Sequence, residues 1–298
     1  MENVMEKIYG MIPPIVTPFT ETGEINEALI EREMDVCLQA GVHGISVGGS
    51  TGEGPTLKDE ELVRLIGLAK KHLKPGQPVV CGVMRMCTQD AVRTGLAAKE
   101  AGADAIMVTP TAYNALVPNA EGMFDFYKTI SEKVQMPIII YNVIPQNEIK
   151  PPLFKRLLEE TEYVRGIKQS VGSVPALYVM KMRCPDTAKV FAATDDMLAT
   201  CCELGAAGAI SASIALFPRE SVEIWNCVQR GDRERAAQLQ VVMYYPWQAL
   251  AGNQFPIRLK YALKLLGRDA GYCRSPIVYL PEDEKRKIEE AIQNYLKR

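Results

Sequence analysis

Short runs of apolar residues alternate along the chain with longer segments in which apolar positions recur every three or four residues. The short runs are typical of strands buried on both faces of a parallel sheet, and the longer pattern is typical of amphipathic helices. The alternation predicts eight strands, each followed by a helix. The predicted strands are residues 12–16, 44–47, 79–83, 105–108, 138–141, 164–168, 190–192 and 208–211.

Eight strand-helix units predict an α/β fold, the (β/α)8 TIM barrel. The predicted helices cover residues 26–39, 58–72, 89–101, 120–134, 174–182, 196–204 and 218–230, with one more begun by Pro151 and Pro152. Thr56 and Asp59 have the spacing of a capping box at the second of these helices. A doubly wound open sheet also alternates strands and helices, but the chain carries no dinucleotide fingerprint to favour it.

Glycine marks three similar junctions between a helix and the next strand, within residues 40–45, 101–106 and 204–210. Each junction predicts a helix that ends at glycine and turns tightly into a strand. After the eighth unit, three helical segments follow without strands, at residues 232–250, 255–266 and 281–296. We therefore expect a barrel over residues 1–230 and a C-terminal three-helix extension over residues 231–298.

Charge and composition argue against several classes of function. The formal net charge is −2, so no basic surface predicts a nucleic-acid partner. No apolar run reaches membrane-spanning length, and residues 1–7 lack the apolar core of a signal peptide. The eight cysteines contain no Cys-x-x-Cys pair. These features predict a protein of a reduced, cytoplasmic compartment without a membrane partner.

Histidine is scarce. The only two, His43 and His72, have no partner at metal-ligand spacing. We therefore expect no metal and no cofactor, and neither a Ser-His-Asp nor a Cys-His mechanism. His43 stands just before a strand and is expected to be packed or hydrogen-bonded rather than catalytic.

A glycine-rich turn, Val-Gly-Gly-Ser-Thr-Gly-Glu-Gly at residues 47–54, follows the second predicted strand. Glycines allow a sharp turn with exposed N–H groups, and the hydroxyls of Ser50 and Thr51 add donors. Such a concavity suits a carboxylate or phosphate oxygen. It matches neither a Walker loop nor Gly-x-Gly-x-x-Gly. A structural turn without a ligand is an equal alternative for this segment alone.

Tyr141 and Lys168 end the fifth and sixth predicted strands. Parallel barrels place their chemistry at the carboxyl ends of strands, and neighbouring strands bring these two side chains within reach of one substrate. A desolvated amine can attack a carbonyl, and a phenol can carry its protons. A structural ion pair of Lys168 and a buried hydrogen bond of Tyr141 are the simpler alternatives.

Taken together, the three strand ends supply an anion cradle, a proton carrier and a nucleophilic amine. These are the parts needed for imine chemistry on a 2-oxo acid: the cradle holds the carboxylate, Lys168 condenses with the ketone, and the imine accepts electrons as a bond at the next carbon breaks. This chemistry requires no metal.

The sequence also resembles the dihydrodipicolinate synthase / N-acetylneuraminate lyase family of class I, pyruvate-handling aldolases. The resemblance runs from residues 14–19 to residues 273–276 and is most specific at residues 49–53, 141–143 and 166–170. It implies a homotetramer in which Lys168 forms the Schiff base and Tyr141 is the acid/base. It also implies that Gly49, Ser50 and Thr51 bind the substrate carboxylate.

Within that family the resemblance favours the sugar-acid lyases. Asp195 and Asp196 fall where the lyases hold sugar hydroxyls, and Ser170 and Ser211 are further substrate-binding candidates. The synthases carry an arginine shortly after a Tyr-Asn-Val-Pro motif, whereas residues 141–148 read Tyr-Asn-Val-Ile-Pro-Gln-Asn-Glu. Tyr113, where the family has a tandem pair of tyrosines, is a candidate for a tyrosine relayed from a neighbouring subunit.

The resulting expectation is a class I lyase that joins or cleaves pyruvate and an aldehyde, with a 2-oxo-3-deoxy sugar acid as substrate, as in N-acetylneuraminate lyase. Dehydration of such an acid through the same imine is the first alternative, and 4-hydroxy-tetrahydrodipicolinate synthesis is the second. Two alternatives from other classes are a pyridoxal-phosphate barrel enzyme and a non-catalytic ligand-binding barrel.

Overall fold

A computed structural model describes residues 2–298; Met1, the first residue of the predicted barrel part, lies outside the described residues. Eight parallel strands form one sheet in the order β1-β8-β7-β6-β5-β4-β3-β2. The strands are β1 (Gly10–Met11), β2 (Ile45–Val47), β3 (Val79–Val83), β4 (Ala105–Val108), β5 (Ile138–Asn142), β6 (Val164–Gln169), β7 (Lys189–Ala192) and β8 (Gly208–Ala209). Pro14 also pairs with Ser46 of β2 in parallel, so the two ends of the sheet meet. The predicted (β/α)8 TIM barrel is confirmed.

Helices alternate with these strands around the barrel. They are α1 (Glu2–Glu6), α2 (Glu27–Gln39), α3 (Asp59–His72), α4 (Thr88–Glu100), α5 (Ala120–Val134), α6 (Pro151–Glu160), α7 (Ser173–Arg183), α8 (Leu198–Glu203), α9 (Ala212–Leu216) and α10 (Pro218–Gln229). The predicted helices agree with these bounds to within two residues. Glycine turns with a positive φ, at Gly41, Gly102 and Gly205, end α2, α4 and α8 as the repeated junctions predicted.

Two local predictions were wrong. The first strand lies at Gly10–Met11 instead of residues 12–16, because Pro13 and Pro14 have no N–H group with which to continue the ladder. The capping box of α3 is formed by Glu61, whose carboxylate accepts a hydrogen bond of 2.8 Å from the Lys58 N–H. The predicted box failed because Asp59 is already inside the helix, where its carboxylate binds arginines.

The barrel interior is filled by side chains that alternate along the strands with those facing the helices. Met5, Ile8, Ile12, Val80, Met84, Ala105, Met107, Ile139, Tyr141, Phe191 and Ile210 form this interior cluster. Met5 and Ile8 come from α1 and the turn after it, so the amino end of the barrel is closed by side chains. His43 lies at this end, where its Nδ1 accepts a hydrogen bond of 3.1 Å from the Met11 N–H; it is hydrogen-bonded, as predicted.

Three further helices follow the barrel: α11 (Arg233–Leu250), α12 (Phe255–Leu265) and α13 (Glu282–Leu296). α11 packs on α10, and α13 packs on both α11 and α12. The C-terminal extension is therefore present, while its separation from the barrel at residue 230 stays a prediction. In the part of the chain that the structure describes, no helix is both long enough and apolar enough to cross a membrane.

Candidate active site

Lys168 and Tyr141 lie side by side in one layer of the barrel. In the parallel register Tyr141 is opposite Lys168, and Lys168 is opposite Phe191. The adjacent residue Ile167 belongs to the core between sheet and helices, so alternation points Lys168 inward. Lys168 is 5% exposed, and its Nζ lies 3.8 Å from the centroid of the Tyr141 ring. The amine is therefore walled in at the carboxyl end of the barrel.

Tyr141 connects this amine to the glycine-rich turn. Its phenolic oxygen lies 3.2 Å from the Oγ atom of Ser50. Tyr141 is buried, whereas Ser50 is exposed at the mouth of the barrel. The structure thus brings together the three strand ends that the sequence singled out.

The glycine-rich turn is compact. The N–H groups of Gly52 and Gly54 both donate to the carbonyl oxygen of Gly49, at 3.0 Å each. A Cβ atom on Gly54 would lie 1.9 Å from the carbonyl oxygen of Gly48, so only glycine fits there. Among residues 2–298, no protein acceptor pairs with the N–H groups of Ser50 and Thr51. These two N–H groups and two hydroxyls can hold an anion.

Support for the turn comes from residues that sequence reasoning missed. Lys260 of α12 is buried, and its Nζ lies 2.7 Å from Oε1 of Glu53. It also donates to the carbonyl oxygens of Thr17 and Tyr272, at 2.6 and 2.5 Å. No local motif could have shown this pairing, because Glu53 and Lys260 are 207 residues apart.

A second missed group holds the ends of β5 and β6 in register. The Nδ2 of Asn142 donates to Oε1 of Gln169 at 2.9 Å and to the carbonyl oxygen of Ile149 at 3.0 Å. The Ile149 N–H donates back to Oδ1 of Asn142 at 2.8 Å. Asn142 and Gln169 each follow a site residue directly, so this network fixes where Tyr141 and Lys168 stand.

The carboxylate of Asp195, which follows β7, is hydrogen-bonded to residues that follow β8. Its Oδ1 accepts hydrogen bonds from the Ser211 hydroxyl and, at 2.6 Å, from the Ser213 N–H. Burial raises the pKa of the Asp195 carboxyl, while these hydrogen bonds and the charge of Lys168 act in the opposite direction. Asp196 instead accepts a hydrogen bond of 3.1 Å from Gln248 of α11.

The remaining candidates differ in position. Within the described chain, the buried hydroxyl oxygens of Ser170, Thr194 and Ser213 have no hydrogen-bond partner. They follow β6, β7 and β8 in the chain, at the carboxyl end of the barrel. Tyr113 lies in the loop between β4 and α5 and is 65% exposed. The structure does not bring the Tyr113 side chain to the other candidates of its own chain. Across residues 2–298, no three His, Cys, Asp or Glu side chains cluster in a way that could hold a metal ion.

Residues 7–295 match the model of the dihydrodipicolinate synthetase family. The chain belongs to this family. The 4-hydroxy-tetrahydrodipicolinate synthase of Methanopyrus kandleri is 30% identical over 290 residues, which are 96% of each chain. Dihydrodipicolinate synthase from Aquifex aeolicus is similar in structure, with a TM-score of 0.90 and 29% identity over 97% of this chain and 98% of that one. YagE from Escherichia coli K12, a member solved in complex with pyruvate, has a TM-score of 0.91 and 27% identity over 97% and 99%.

The family confirms the predicted enzyme class, a Schiff-base-forming lyase of the aldolase type. The narrower prediction, a sugar-acid lyase, has less support. The curated relative carries the synthase name, so the comparisons support the synthase alternative more than the sugar-acid lyase that the sequence favoured. Membership of the family thus supports the class of reaction more firmly than the identity of the second substrate.

Proposed function

We propose that this enzyme forms an imine between Lys168 and pyruvate and joins the resulting enamine to an aldehyde, or runs the reverse cleavage. The Lys168 amine adds to the C2 carbonyl, and the carbinolamine loses water to give a protonated imine. Loss of a C3 proton then gives the enamine, whose C3 forms the new bond to the aldehyde carbon. Water hydrolyses the product imine and returns the free amine.

The observation that carries the proposal is the contact chain from Lys168 through Tyr141 to Ser50. Nζ lies over the Tyr141 ring, and the phenol is 3.2 Å from the Ser50 hydroxyl. A pyruvate whose carboxylate is held by Ser50 and Thr51 therefore has its ketone beside both the amine and the phenol. Tyr141 can pass protons between amine, carbinolamine oxygen and solvent.

For the aldehyde, the first candidate is the substrate of the synthase reaction. Removing the three carbons of pyruvate from the seven-carbon product in the relative's name leaves a four-carbon amino-acid semialdehyde. The name of the Methanopyrus kandleri relative supports this candidate. It requires a group that binds a second carboxylate.

A polyhydroxylated aldehyde is the second candidate, and a specific observation favours it. Residues 143–150, the described loop after β5, contain one cation, Lys150, and its ammonium pairs with Glu148. The buried hydroxyls of Ser170 and Thr194, which follow β6 and β7, have no hydrogen-bond partner among the described residues. A loop without a free cation, beside unpaired hydroxyls, suits the hydroxyl groups of a substrate better than a carboxylate.

Assembly completes the proposal. We propose that the enzyme works as a homotetramer in which the exposed Tyr113 of one subunit reaches the site of another. Tyr113 and the nearby Leu116 are 65% and 56% exposed on the isolated chain. Large exposed apolar side chains of this kind are typical of contacts between subunits.

Borohydride reduction in the presence of pyruvate tests the imine. A stable adduct on Lys168, absent from a Lys168→Met variant, is the expected result, and an unmodified Lys168 in the wild type would refute the proposal. Activity with pyruvate should then be compared across an amino-acid semialdehyde and a set of sugar aldehydes. The preferred aldehyde distinguishes the two candidates.

A further inference from the structure

The turn that carries Ser50 and Thr51 is anchored from behind by a buried ion pair that takes no part in the proposed bond-forming steps. The side chains of Lys260 and Glu53 are 3% and 1% exposed, and their charged atoms are 2.7 Å apart. Lys260 donates to Glu53 and to two carbonyl oxygens, so its three N–H donors are all used. The second carboxylate oxygen of Glu53 accepts a hydrogen bond of 2.9 Å from the backbone N–H of Arg274.

A second anchor holds the preceding residue. The Thr17 hydroxyl donates to the carbonyl oxygen of Gly52 at 2.7 Å. Glu53 itself has a φ of 56°, a left-handed conformation that costs a non-glycine residue free energy unless its surroundings enforce it. The two residues that directly follow Thr51 are therefore held by contacts from outside the turn.

Stability alone is a weak explanation for this arrangement. The free-energy cost of removing two charges from water offsets much of the free energy of their attraction. A well-packed apolar pair often stabilises a fold equally well. An ion pair whose hydrogen bonds are all satisfied instead fixes the positions of its two side chains. Here one of them, Glu53, belongs to the backbone segment next to the proposed anion-binding donors.

We propose that Glu53 and Lys260 are positioning residues, which hold the turn so that Ser50 and Thr51 grip the substrate carboxylate at a fixed distance from Lys168. This inference rests on the proposed function. It makes α12 of the C-terminal extension a part of the binding site. Lys168 stands on β6 in the layer of Tyr141 and Phe191, so loss of the pair leaves the amine in place.

The inference predicts different effects on the binding of two ligands, one with a carboxylate and one without. Pyruvate needs the donors of the turn, whereas acetone offers the same reactive ketone without a carboxylate. A displaced turn weakens the binding of pyruvate and leaves acetone unaffected. A general loss of packing weakens both.

The experiment measures the borohydride trapping rate on Lys168 as a function of pyruvate and of acetone concentration. The variants are Glu53→Gln, the charge-free double variant Glu53→Gln/Lys260→Met, and Thr17→Val, which removes only the hydroxyl bond. For each, we expect the half-saturating pyruvate concentration to rise about tenfold or more, because small displacements of binding groups have large effects. The acetone dependence should match that of the wild type.

A matched control removes another buried ion pair. Glu33 and Arg268 lie 2.6 Å apart, with side chains that are 4% and 12% exposed. The other hydrogen bonds of the Arg268 guanidinium go to the carbonyl oxygens of Ala215 and Leu216, outside the glycine-rich turn. Glu33→Gln/Arg268→Met should lower the thermal midpoint and leave the ratio of pyruvate to acetone trapping unchanged.

An unchanged ratio in the Glu53 and Lys260 variants would overturn the inference, as would the same change of ratio in the control. The double variant and Thr17→Val supply the decisive comparison if Glu53→Gln does not fold. Failure of the wild type to trap pyruvate on Lys168 refutes the proposed function, and the inference with it. Normal trapping in the wild type and in every variant is a different result, which refutes the inference and leaves the proposed function intact.

Discussion

The hydroxyl of Ser50 lies 3.2 Å from the phenolic oxygen of Tyr141, although 91 residues separate them in the chain. The contact joins the end of β5 to the turn after β2, three strands away in the sheet. Because the Tyr141 ring also lies against Nζ of Lys168, one side chain touches both the glycine-rich turn and the amine. Tyr141 is therefore placed to move protons wherever a ketone is held between them.

Replacing Tyr141 with phenylalanine tests this placement. The ring beside Lys168 remains, but the proton carrier is lost, so we expect turnover to fall about 100-fold or more. The free energy of unfolding should change little, because the lost hydroxyl has the exposed Ser50 as its partner. Steady-state kinetics and urea denaturation measure both effects.

Tyr127 provides the control for that substitution. Its hydroxyl donates to the carbonyl oxygen of Val108 at 3.1 Å and is fully buried. Tyr127→Phe should cost about 1 kcal/mol of stability and leave turnover near the wild-type rate. Equal turnover in the two phenylalanine variants would contradict a proton-transfer role for Tyr141.

Asp195 gives a prediction about pH. Burial raises the pKa of its carboxyl, so the folded chain keeps the proton at a pH where the unfolded chain has lost it. The contribution of Asp195 to the free energy of unfolding therefore declines as pH rises from about 4 toward the raised value. Asp195→Asn removes this decline, so its stability relative to the wild type should increase with pH over that window. Parallel stability curves in chemical denaturation from pH 4 to pH 7 would contradict the assignment.

Asp59 predicts the opposite dependence. Burial alone would raise the pKa of Asp59, but hydrogen bonds from Arg93, Thr94 and Arg85 outweigh it and lower the pKa from 3.8 to about 2. The carboxylate therefore stabilises the fold above pH 4, and this stabilisation is lost as pH falls toward 2. Asp59→Asn should cost about 2 kcal/mol at pH 7, since each pKa unit corresponds to about 1.4 kcal/mol. In denaturation curves recorded at pH 3, the difference in free energy of unfolding between variant and wild type should be smaller than at pH 7. An equal difference at both pH values would show that the charge of Asp59 is not its source.

Tyr113 yields a test of subunit sharing. If it serves the site of another subunit, Tyr113→Phe lowers turnover without changing stability, because the side chain is exposed on its own chain. Lys168→Met subunits have no amine but an intact Tyr113. Mixing the two impaired variants under conditions of subunit exchange should raise activity above the sum of the separate variants. Activity that stays at the sum of the separate variants would place Tyr113 outside the site.

Most of the barrel follows from the sequence because its strands are buried on both faces and read as apolar runs. Residues 79–83 and 105–108 were predicted with the bounds of β3 and β4. The first strand was misplaced because the apolar run continues past Met11, whereas hydrogen bonding stops at Pro13 and Pro14. Hydrophobicity reports burial, and it does not report which residues can donate to a ladder.

The site was predictable where neighbouring strands carry it. Tyr141 and Lys168 end adjacent parallel strands, so their contact follows from strand order. The pair of Glu53 and Lys260 depends on how α12 returns to the mouth of the barrel, and no periodicity encodes that path. The direction of the Asp195 carboxylate was equally hidden, because its partners Ser211 and Ser213 stand at the start of α9, after the next strand.

The closed amino end of the barrel has a consequence for the order of events. Met5 and Ile8 belong to the packed interior beneath the layer of Tyr141, Lys168 and Phe191. Because these side chains fill the amino end, a ligand of the Lys168 amine has to approach from the carboxyl end of the barrel. If the proposed reaction takes place there, product and pyruvate share this approach, and we expect product to compete with pyruvate.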